Sequence, residues 1–205
     1  QIVIDGVRDL RGAEFELIPD RIEAGTYMIA AAITGGNVLM RNVRRAHMDA
    51  VFHALLRMGV LLDEESSGWR VRGEGRFKPA DVVTAPFPGY PTDMQAQIMA
   101  LMCVADGRSA VQDTIYPRRF HHVAELRRMG AKIVRRGNRA WVTGVDHLTG
   151  ARVTASDLRA SAALVLAGLV AQGRTTIAEV HHIDRGYERI VEKLSSIGAK
   201  IRRIG

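Results

Sequence analysis

The last third of the sequence contains an almost wholly apolar segment, Leu158-Arg-Ala-Ser-Ala-Ala-Leu-Val-Leu-Ala-Gly-Leu-Val-Ala171. A second segment, Met94-Gln-Ala-Gln-Ile-Met-Ala-Leu-Met-Cys-Val-Ala105, is apolar nearly all round beyond its first turn, and residues 22–33 approach this composition. A helix without a polar face must be buried on every side. The sequence therefore predicts three internal helices. Residues 121–129 and 187–197 have one apolar stripe and one charged face, so they predict helices nearer the surface.

The three apolar segments belong to three diverged copies of one unit. In each copy an aspartate opens the apolar segment, a glycine closes it, and a second helix ends at another glycine. These landmarks are Asp20, Gly36 and Gly59, then Asp93, Gly107 and Gly130, then Asp157, Gly173 and Gly198. Short β-rich runs lie between the helices, each copy having the order strand, helix, strand, helix, strand, with a further strand in the first two. Residues 64–68 and 136–139 are typical of hairpin turns.

These patterns predict a single α/β domain with repeats over about 1–77, 78–148 and 149–205. The three buried helices are surrounded by small sheets and amphipathic outer helices, which is a barrel turned inside out. The chain opens on Gln1 and the strand-like Ile2-Val3-Ile4, so we expect it to start in the middle of a longer protein.

Composition favours a folded, water-soluble protein. The chain has 205 residues, of which 47% are hydrophobic and 25% charged, an ordinary balance for a globular domain. The longest apolar run, residues 160–171, is shorter than the roughly 20 residues that cross a bilayer, so we expect no membrane association. Cys103 is the single cysteine and lies in an apolar run, where a thiol packs as a small hydrophobe. We expect a reducing, cytoplasmic location.

The net charge of +7 arises almost entirely from arginine, because only four of the 29 basic residues are lysines: Lys78, Lys132, Lys193 and Lys200. Arginine favours planar, bidentate recognition of phosphate or carboxylate. A basic nucleic-acid surface is the competing interpretation. It is disfavoured because the arginines are scattered and only 5% of residues are aromatic and able to stack on bases.

Six arginines occur where helix physics disfavours them. Five lie beside the start of a second helix, namely Arg44, Arg45, Arg118, Arg119 and Arg185, and Arg159 lies two residues inside a buried helix. Of these, Arg119, Arg159 and Arg185 are the set that we expect around one anion. Positive charge is unfavourable at a helix N-terminus unless an anion joins it. Asp93 follows the rigid loop Pro86-Phe-Pro-Gly-Tyr-Pro91, and both a capping and a general-base role remain open for it. Asp20 is predicted to be a helix cap. The sharpest hypothesis is a site for a phosphorylated or carboxylated small molecule.

The histidine pairs 121–122 and 181–182 do not predict a metal site. Adjacent residues point to different sides of a helix or strand, and the chain offers one cysteine and no His-x-x-x-His spacing.

Five stretches resemble, in the same order, those of the UDP-N-acetylglucosamine enolpyruvyl transferases. They are Ile18-Pro-Asp-Arg-Ile-Glu-Ala-Gly-Thr26, Pro91-Thr-Asp-Met-Gln-Ala-Gln97, Arg119-Phe-His-His-Val-Ala-Glu-Leu126, Ser156-Asp-Leu-Arg-Ala-Ser161 and His182-Ile-Asp-Arg-Gly-Tyr-Glu188. The resemblance implies an inside-out α/β barrel and transfer of the enolpyruvyl group of phosphoenolpyruvate to the 3-hydroxyl of the amino sugar. It also implies that no metal or organic cofactor is needed.

The resemblance also assigns roles to residues. It makes Asp93 the proton acceptor with Thr92 beside it, and it gives Ile115 and Tyr116 to the uridine and sugar site. Arg119, Arg159 and Arg185 would hold the phosphate and carboxylate of phosphoenolpyruvate, with Asp157 close to the reacting centre. The catalytic set is therefore Asp93, Asp157 and Arg185.

Two departures limit what this chain can do alone. Pro117-Arg118 stands where the family commonly has Glu-Asn. Family members are about twice as long, and their mobile-loop cysteine, a lysine and a further arginine lie in an N-terminal domain that is absent here. We therefore expect the isolated chain to be inactive. The alternatives are the related 3-phosphoshikimate 1-carboxyvinyltransferase and a non-catalytic module that binds a nucleotide sugar.

Overall fold

The computed structural model describes residues 1–204, and its elements give an α/β fold. The helices are α1 (Arg21–Ile33), α2 (Asp49–Arg57), α3 (Gln95–Met102), α4 (His122–Arg128), α5 (Leu158–Val170), α6 (His181–Asp184) and α7 (Ile190–Ser196). The strands are β1 (Asn37–Arg41), β2 (Leu61–Glu65), β3 (Gly68–Arg72), β4 (Val82–Val83), β5 (Arg108–Gln112), β6 (Lys132–Arg136), β7 (Arg139–Thr143), β8 (Arg152–Thr154) and β9 (Thr176–Ala178). None of these helices is long and apolar enough to cross a bilayer. The third predicted repeat ends at Gly205, which lies outside the described residues.

Three sheets are formed, with strand orders β1-β3-β2, β4-β5-β7-β6 and β8-β9. Strands β2 and β3, and strands β6 and β7, are antiparallel neighbours joined by the two predicted hairpin turns. Strands β4 and β5 run parallel, as do β8 and β9. Parallel neighbours need a crossover connection, which α3 and α5 provide.

The three apolar helices pack against one another inside the protein, as their composition predicts. Every residue of α3 is buried, and α1 is buried continuously from Gly25 to Ile33. Gly25 allows α1 to lie close to Met94, because a Cβ atom there would come within 2.7 Å of Met94 Cε. The outer helices carry the predicted single apolar stripe: α2 buries Val51, Phe52, Ala54 and Leu55 and exposes its other side.

The second helix of each predicted unit ends at a glycine with positive φ, at Gly59 (88°), Gly130 (90°) and Gly198 (103°). Only glycine enters this region without a steric penalty. The last helix is shorter than predicted, because Arg189 adopts a left-handed conformation (φ 50°) and α7 begins after it. Tyr187 therefore lies in the turn between α6 and α7, and its side chain is completely buried.

Two predicted strands do not form. Residues 1–20 have no helix or strand, and Ile2, Val3 and Ile4 are 87%, 77% and 82% exposed. Residues 200–204, after Gly198, also form no strand, so the third sheet has only two strands. The reason is the same in both places. A strand is stable only when a neighbouring strand pairs with its backbone, and no backbone hydrogen bond within residues 1–204 joins either segment to a strand.

Candidate active site

A cavity of about 450 Å³ opens where the N-terminal ends of α3 and α5 meet the loop that precedes α4. It is lined by Asp93, Tyr116, Arg119, His121, Ser156, Asp157, Leu158, Arg159 and Arg185. The structure thus brings together the three predicted arginines and both predicted catalytic aspartates. Two helix N-termini add their partial positive charge, so the cavity favours an anionic ligand.

Asp93 lies in the short 3-10 turn Thr92–Met94, just before α3. Its Oδ1 accepts a hydrogen bond from Arg119 Nη1 at 2.6 Å and lies 3.4 Å from Arg159 Nε. The N-cap of α3 is Met94, and no side chain caps this helix. The capping role that the sequence left open for Asp93 is therefore excluded, and its carboxylate instead faces two guanidinium groups. Asp20, in contrast, caps α1 through the amides of Ile22 and Glu23, as predicted.

The environment keeps the Asp93 carboxyl ionised. Partial burial works to raise its pKa, but the charge of Arg159 and the hydrogen bond from Arg119 outweigh burial, so the pKa lies below its ordinary value.

Asp157 combines two positions, because it caps α5 and also lines the cavity. Its Oδ1 accepts hydrogen bonds from the amides of Arg159 and Ala160, both at 2.9 Å, and Oδ2 accepts one from Ser156 Oγ at 3.2 Å. Burial works to raise the pKa of this carboxyl. The hydrogen bonds from the two amides work to lower the pKa, and with the bond from Ser156 they outweigh burial, so the net shift is downward. Asp157 therefore stays negative, and much of its hydrogen-bonding capacity is used by its own helix.

Arg185 differs from the other two arginines. It is exposed at the end of α6 and lines the cavity, and its side chain makes no hydrogen bond or ion pair with any residue among 1–204. Arg119 and Arg159 are held by Asp93, whereas Arg185 is available to a ligand.

The loop between β5 and α4 is organised by Asp113, a residue that sequence reasoning missed. Its buried carboxylate accepts hydrogen bonds from the hydroxyl groups of Thr84 (2.8 Å) and Thr92 (2.7 Å) and from the amides of Ile115 (3.0 Å) and Tyr116 (2.8 Å). One carboxylate thus fixes both the residue before Asp93 and the start of the predicted sugar-binding loop. An aspartate directly after a strand is a turn signal and could have marked this position.

The predicted sugar-site residues are exposed on this loop. Tyr116 lines the cavity, whereas Ile115 is 44% exposed and lies outside the lining. The unusual Pro117 and Arg118 are exposed, and the amide of Arg119 still donates to the carbonyl of Tyr116 at 2.9 Å. This turn delivers the Arg119 side chain to Asp93 and Thr92, so the departure at 117–118 does not remove Arg119 from the site.

The site as built can bind a small anion and take up a proton. Three guanidinium groups can match a phosphate and a carboxylate, and a carboxylate lies between two of them. Within residues 1–204 no cluster of histidine, cysteine, aspartate and glutamate side chains could hold a metal ion.

Comparison with known proteins assigns the family. The family model for EPSP synthase (3-phosphoshikimate 1-carboxyvinyltransferase) matches residues 1–194. The chain belongs to the EPSP synthase family. Among curated members, it is 57% identical to UDP-N-acetylglucosamine 1-carboxyvinyltransferase 1 of Caldanaerobacter subterraneus subsp. tengcongensis over 98% of its length and 49% of the relative's. It is 55% identical to the UDP-N-acetylglucosamine 1-carboxyvinyltransferase of Oleidesulfovibrio alaskensis, covering 99% of this chain and 49% of that one.

Two solved structures have a similar fold. The enolpyruvyl transferase NikO from Streptomyces tendae superposes with a TM-score of 0.82 and 31% identity, over 91% of this chain and 44% of that chain. The EPSP synthase of Acinetobacter baumannii gives a TM-score of 0.69 at 19% identity, over 93% and 45% of the two chains. The chain spans about half the length of the family members it matches.

Proposed function

We propose that the chain is part of a UDP-N-acetylglucosamine 1-carboxyvinyltransferase and supplies part of that enzyme's active site. The observation that carries the proposal is the Asp93 carboxylate, held by Arg119 and Arg159 in a cavity that Arg185 also lines. The names of the curated relatives above 50% identity support the amino sugar as acceptor.

In this reaction the 3-hydroxyl oxygen of the sugar bonds to C2 of phosphoenolpyruvate. The hydroxyl proton leaves to a base, and C3 gains a proton. The resulting tetrahedral intermediate then loses phosphate from C2 and a proton from C3, which restores the double bond as an enolpyruvyl ether. Negative charge shifts between the carboxylate and phosphate groups throughout, so electrostatic stabilisation is the main demand on the protein.

Asp93 is assigned the role of base for the sugar hydroxyl. In the free site its pKa is low because Arg159 and Arg119 face it. When phosphoenolpyruvate brings its own negative charges, these arginines turn part of their interaction to the substrate, and the basicity of Asp93 rises. Binding of the anion would thus prepare the base at the moment it is needed.

The remaining predicted residues are assigned around this centre. Arg119, Arg159 and Arg185 hold the phosphate and carboxylate of phosphoenolpyruvate, and Asp157 lies beside the reacting carbons. Thr92, Ile115 and Tyr116 contact the nucleotide sugar. Because the Thr92 hydroxyl and the Tyr116 amide both donate to the carboxylate of Asp113, one side chain links the sugar loop to the residue beside the base.

We infer further that the chain acts with the other half of the protein, in the cytoplasm. The match covers about half of each relative, and the lone cysteine, Cys103, is fully buried in α3's C-terminal turn, away from the cavity. The order of elements supports the inside-out barrel of three repeats over about 1–77, 78–148 and 149–205 as one domain.

The test is complementation. The chain is mixed with the first half of the Caldanaerobacter relative, and phosphate release from phosphoenolpyruvate is measured with UDP-N-acetylglucosamine or with shikimate 3-phosphate. We expect release with the amino sugar only, and none from either half alone. Release with shikimate 3-phosphate instead would assign the chain to 3-phosphoshikimate transfer. Tight binding of the nucleotide sugar without turnover in a verified complex would indicate a binding module.

A further inference from the structure

A buried polar cluster joins the centre of the protein to the candidate site. It consists of Thr26 on α1, Gln97 on α3 and Tyr187 in the turn between α6 and α7, and all three are at most 3% exposed. Tyr187 OH lies 2.9 Å from Thr26 Oγ1, and Gln97 Nε2 lies 3.2 Å from each of these two oxygens. Polar groups are costly inside an apolar core unless they are hydrogen-bonded, so this cluster demands an explanation.

The hydrogen-bond partners fix the direction of the Tyr187 hydroxyl. Thr26 Oγ1 has one proton, and it donates this proton to the carbonyl of Ile22 at 2.8 Å. Thr26 Oγ1 must therefore accept from Tyr187 OH. The oxygen of Tyr187 is left with lone pairs that face two donors, Gln97 Nε2 and Arg159 Nη1, the latter at 3.4 Å.

Arg159 is thereby held from two sides. Its Nη1 donates to Tyr187, its Nε faces Asp93 Oδ1, and its guanidinium carbon lies 5.8 Å from the centre of the Tyr187 ring. No hydrogen bond within residues 1–204 uses Nη2. An arginine side chain has large rotamer entropy. Because Tyr187 already restricts the guanidinium of Arg159, less conformational entropy is lost when a ligand binds in the cavity.

We propose that Tyr187 is a positioning residue for Arg159 and that its hydroxyl sets the affinity of the site for a phosphorylated carboxylic acid. The inference rests on the proposed function for its substrate, but the contact between Tyr187 and Arg159 can be tested without turnover. Because the Tyr187 proton is directed to Thr26, the lone pairs of its oxygen face Gln97 and Arg159, so the first unit of the fold takes part in orienting an arginine of the third.

The first experiment compares Tyr187→Phe with wild type in the complemented enzyme. Phenylalanine keeps the ring and removes only the hydroxyl. We expect the KM for phosphoenolpyruvate to rise about tenfold, the loss of one hydrogen bond to a charged group, while the KM for the nucleotide sugar stays unchanged. The matched control is Tyr27→Phe. Tyr27 lies on α1 and is buried like Tyr187, but its hydroxyl has no hydrogen-bond partner within residues 1–204. Neither KM value should therefore change.

The second experiment uses the chain itself. The Nε–Hε signal of Arg159, assigned by its loss in Arg159→Lys, is followed by NMR during titration with inorganic phosphate. In Tyr187→Phe we expect faster exchange of this proton with water. We also expect the Kd for phosphate, obtained from the shift of this signal, to rise at least about fivefold. Thr26→Val removes the acceptor of the tyrosine proton and keeps the packing, so it should shift the same signal if Tyr187→Phe fails to fold.

The inference requires the Arg159 signal to change in Tyr187→Phe or Thr26→Val and to stay as in wild type in Tyr27→Phe. An unchanged signal overturns it, whatever happens to turnover. A changed signal with an unchanged KM for phosphoenolpyruvate in an active complex also overturns it. If wild type itself shows no turnover after complementation, the proposed function fails, and the phosphate titration alone decides the role of Tyr187.

Discussion

Arg119 Nη1 lies 2.6 Å from Asp93 Oδ1, and this ion pair joins the loop before α4 to the turn before α3. Both side chains are partly exposed to the cavity, at 23% and 38%. A pair so accessible to solvent contributes little stability, so its main consequence is chemical: it keeps a carboxylate ionised in the wall of the cavity.

The first prediction concerns Asp93→Asn. The amide keeps the shape of the side chain and cannot take up the proton, so turnover of the complemented enzyme should fall by about 10² to 10⁴. The matched control is Asp20→Asn, which keeps a good N-cap at α1 outside the cavity lining and should leave turnover unchanged. A rate for Asp93→Asn within threefold of wild type would remove Asp93 from the role of base.

The second prediction concerns Arg185→Ala. Arg185 makes no ion pair within residues 1–204, so its removal should change the free energy of unfolding by less than about 0.5 kcal/mol. The KM for phosphoenolpyruvate should rise at least about tenfold, because a charge-assisted contact to the substrate is lost. Urea unfolding and steady-state kinetics give the two values. The exposed Arg118→Ala is the control, and an equal effect there would argue against a specific site.

The third prediction concerns Asp113→Ala. The change leaves two hydroxyl groups and two amides without their shared acceptor, so we expect a loss of about 3 kcal/mol in the free energy of unfolding. At temperatures where the protein is folded, the KM for the nucleotide sugar should also rise, since the loop at Ile115 and Tyr116 loses its anchor. Asp106→Ala, on an exposed carboxylate, should do neither. An unchanged KM would separate Asp113 from the sugar site.

The fourth prediction concerns pH and His122. Burial lowers the pKa of this fully buried imidazole to about 4, outweighing the opposite effect of Asp157. His122 in the unfolded chain therefore binds a proton below about pH 6.5, whereas in the folded chain it binds one only below about pH 4. Stability should fall as the pH is lowered through this range, by about 3 kcal/mol at full extent.

Urea unfolding of His122→Gln at pH 7 and pH 5 checks this. The variant is expected to be less stable at pH 7, because it loses a well-packed ring, but its stability should change less between the two pH values than that of wild type. The exposed His121→Gln should keep the wild-type slope. An unchanged slope in His122→Gln would assign the acid sensitivity to other groups.

Much of the architecture could be predicted from the chain because it is encoded between near neighbours. Uninterrupted apolar segments predicted the three inner helices, which are buried as expected. Glycines after the second helices, the two hairpin turns and the cap at Asp20 all depend on contacts within a few residues. The predicted strand at Ile2–Ile4 did not form, because a strand depends on a neighbour that no local pattern supplies.

The sequence by itself determined the internal helices, the glycines that end the second helices, and the motifs that mark the family. The tertiary structure alone decided that Asp93 faces two arginines rather than capping α3, that Asp113 anchors the loop between β5 and α4, and that Tyr187 turns inward to Arg159. The physical reason is distance along the chain. Helix burial and capping are set by periodicity and by adjacent amides, whereas Asp93 and Arg119 lie 26 residues apart, and Thr26 and Tyr187 lie 161 apart. Such pairs meet only after the apolar helices have packed, and their charges and hydrogen bonds are defined by that packing.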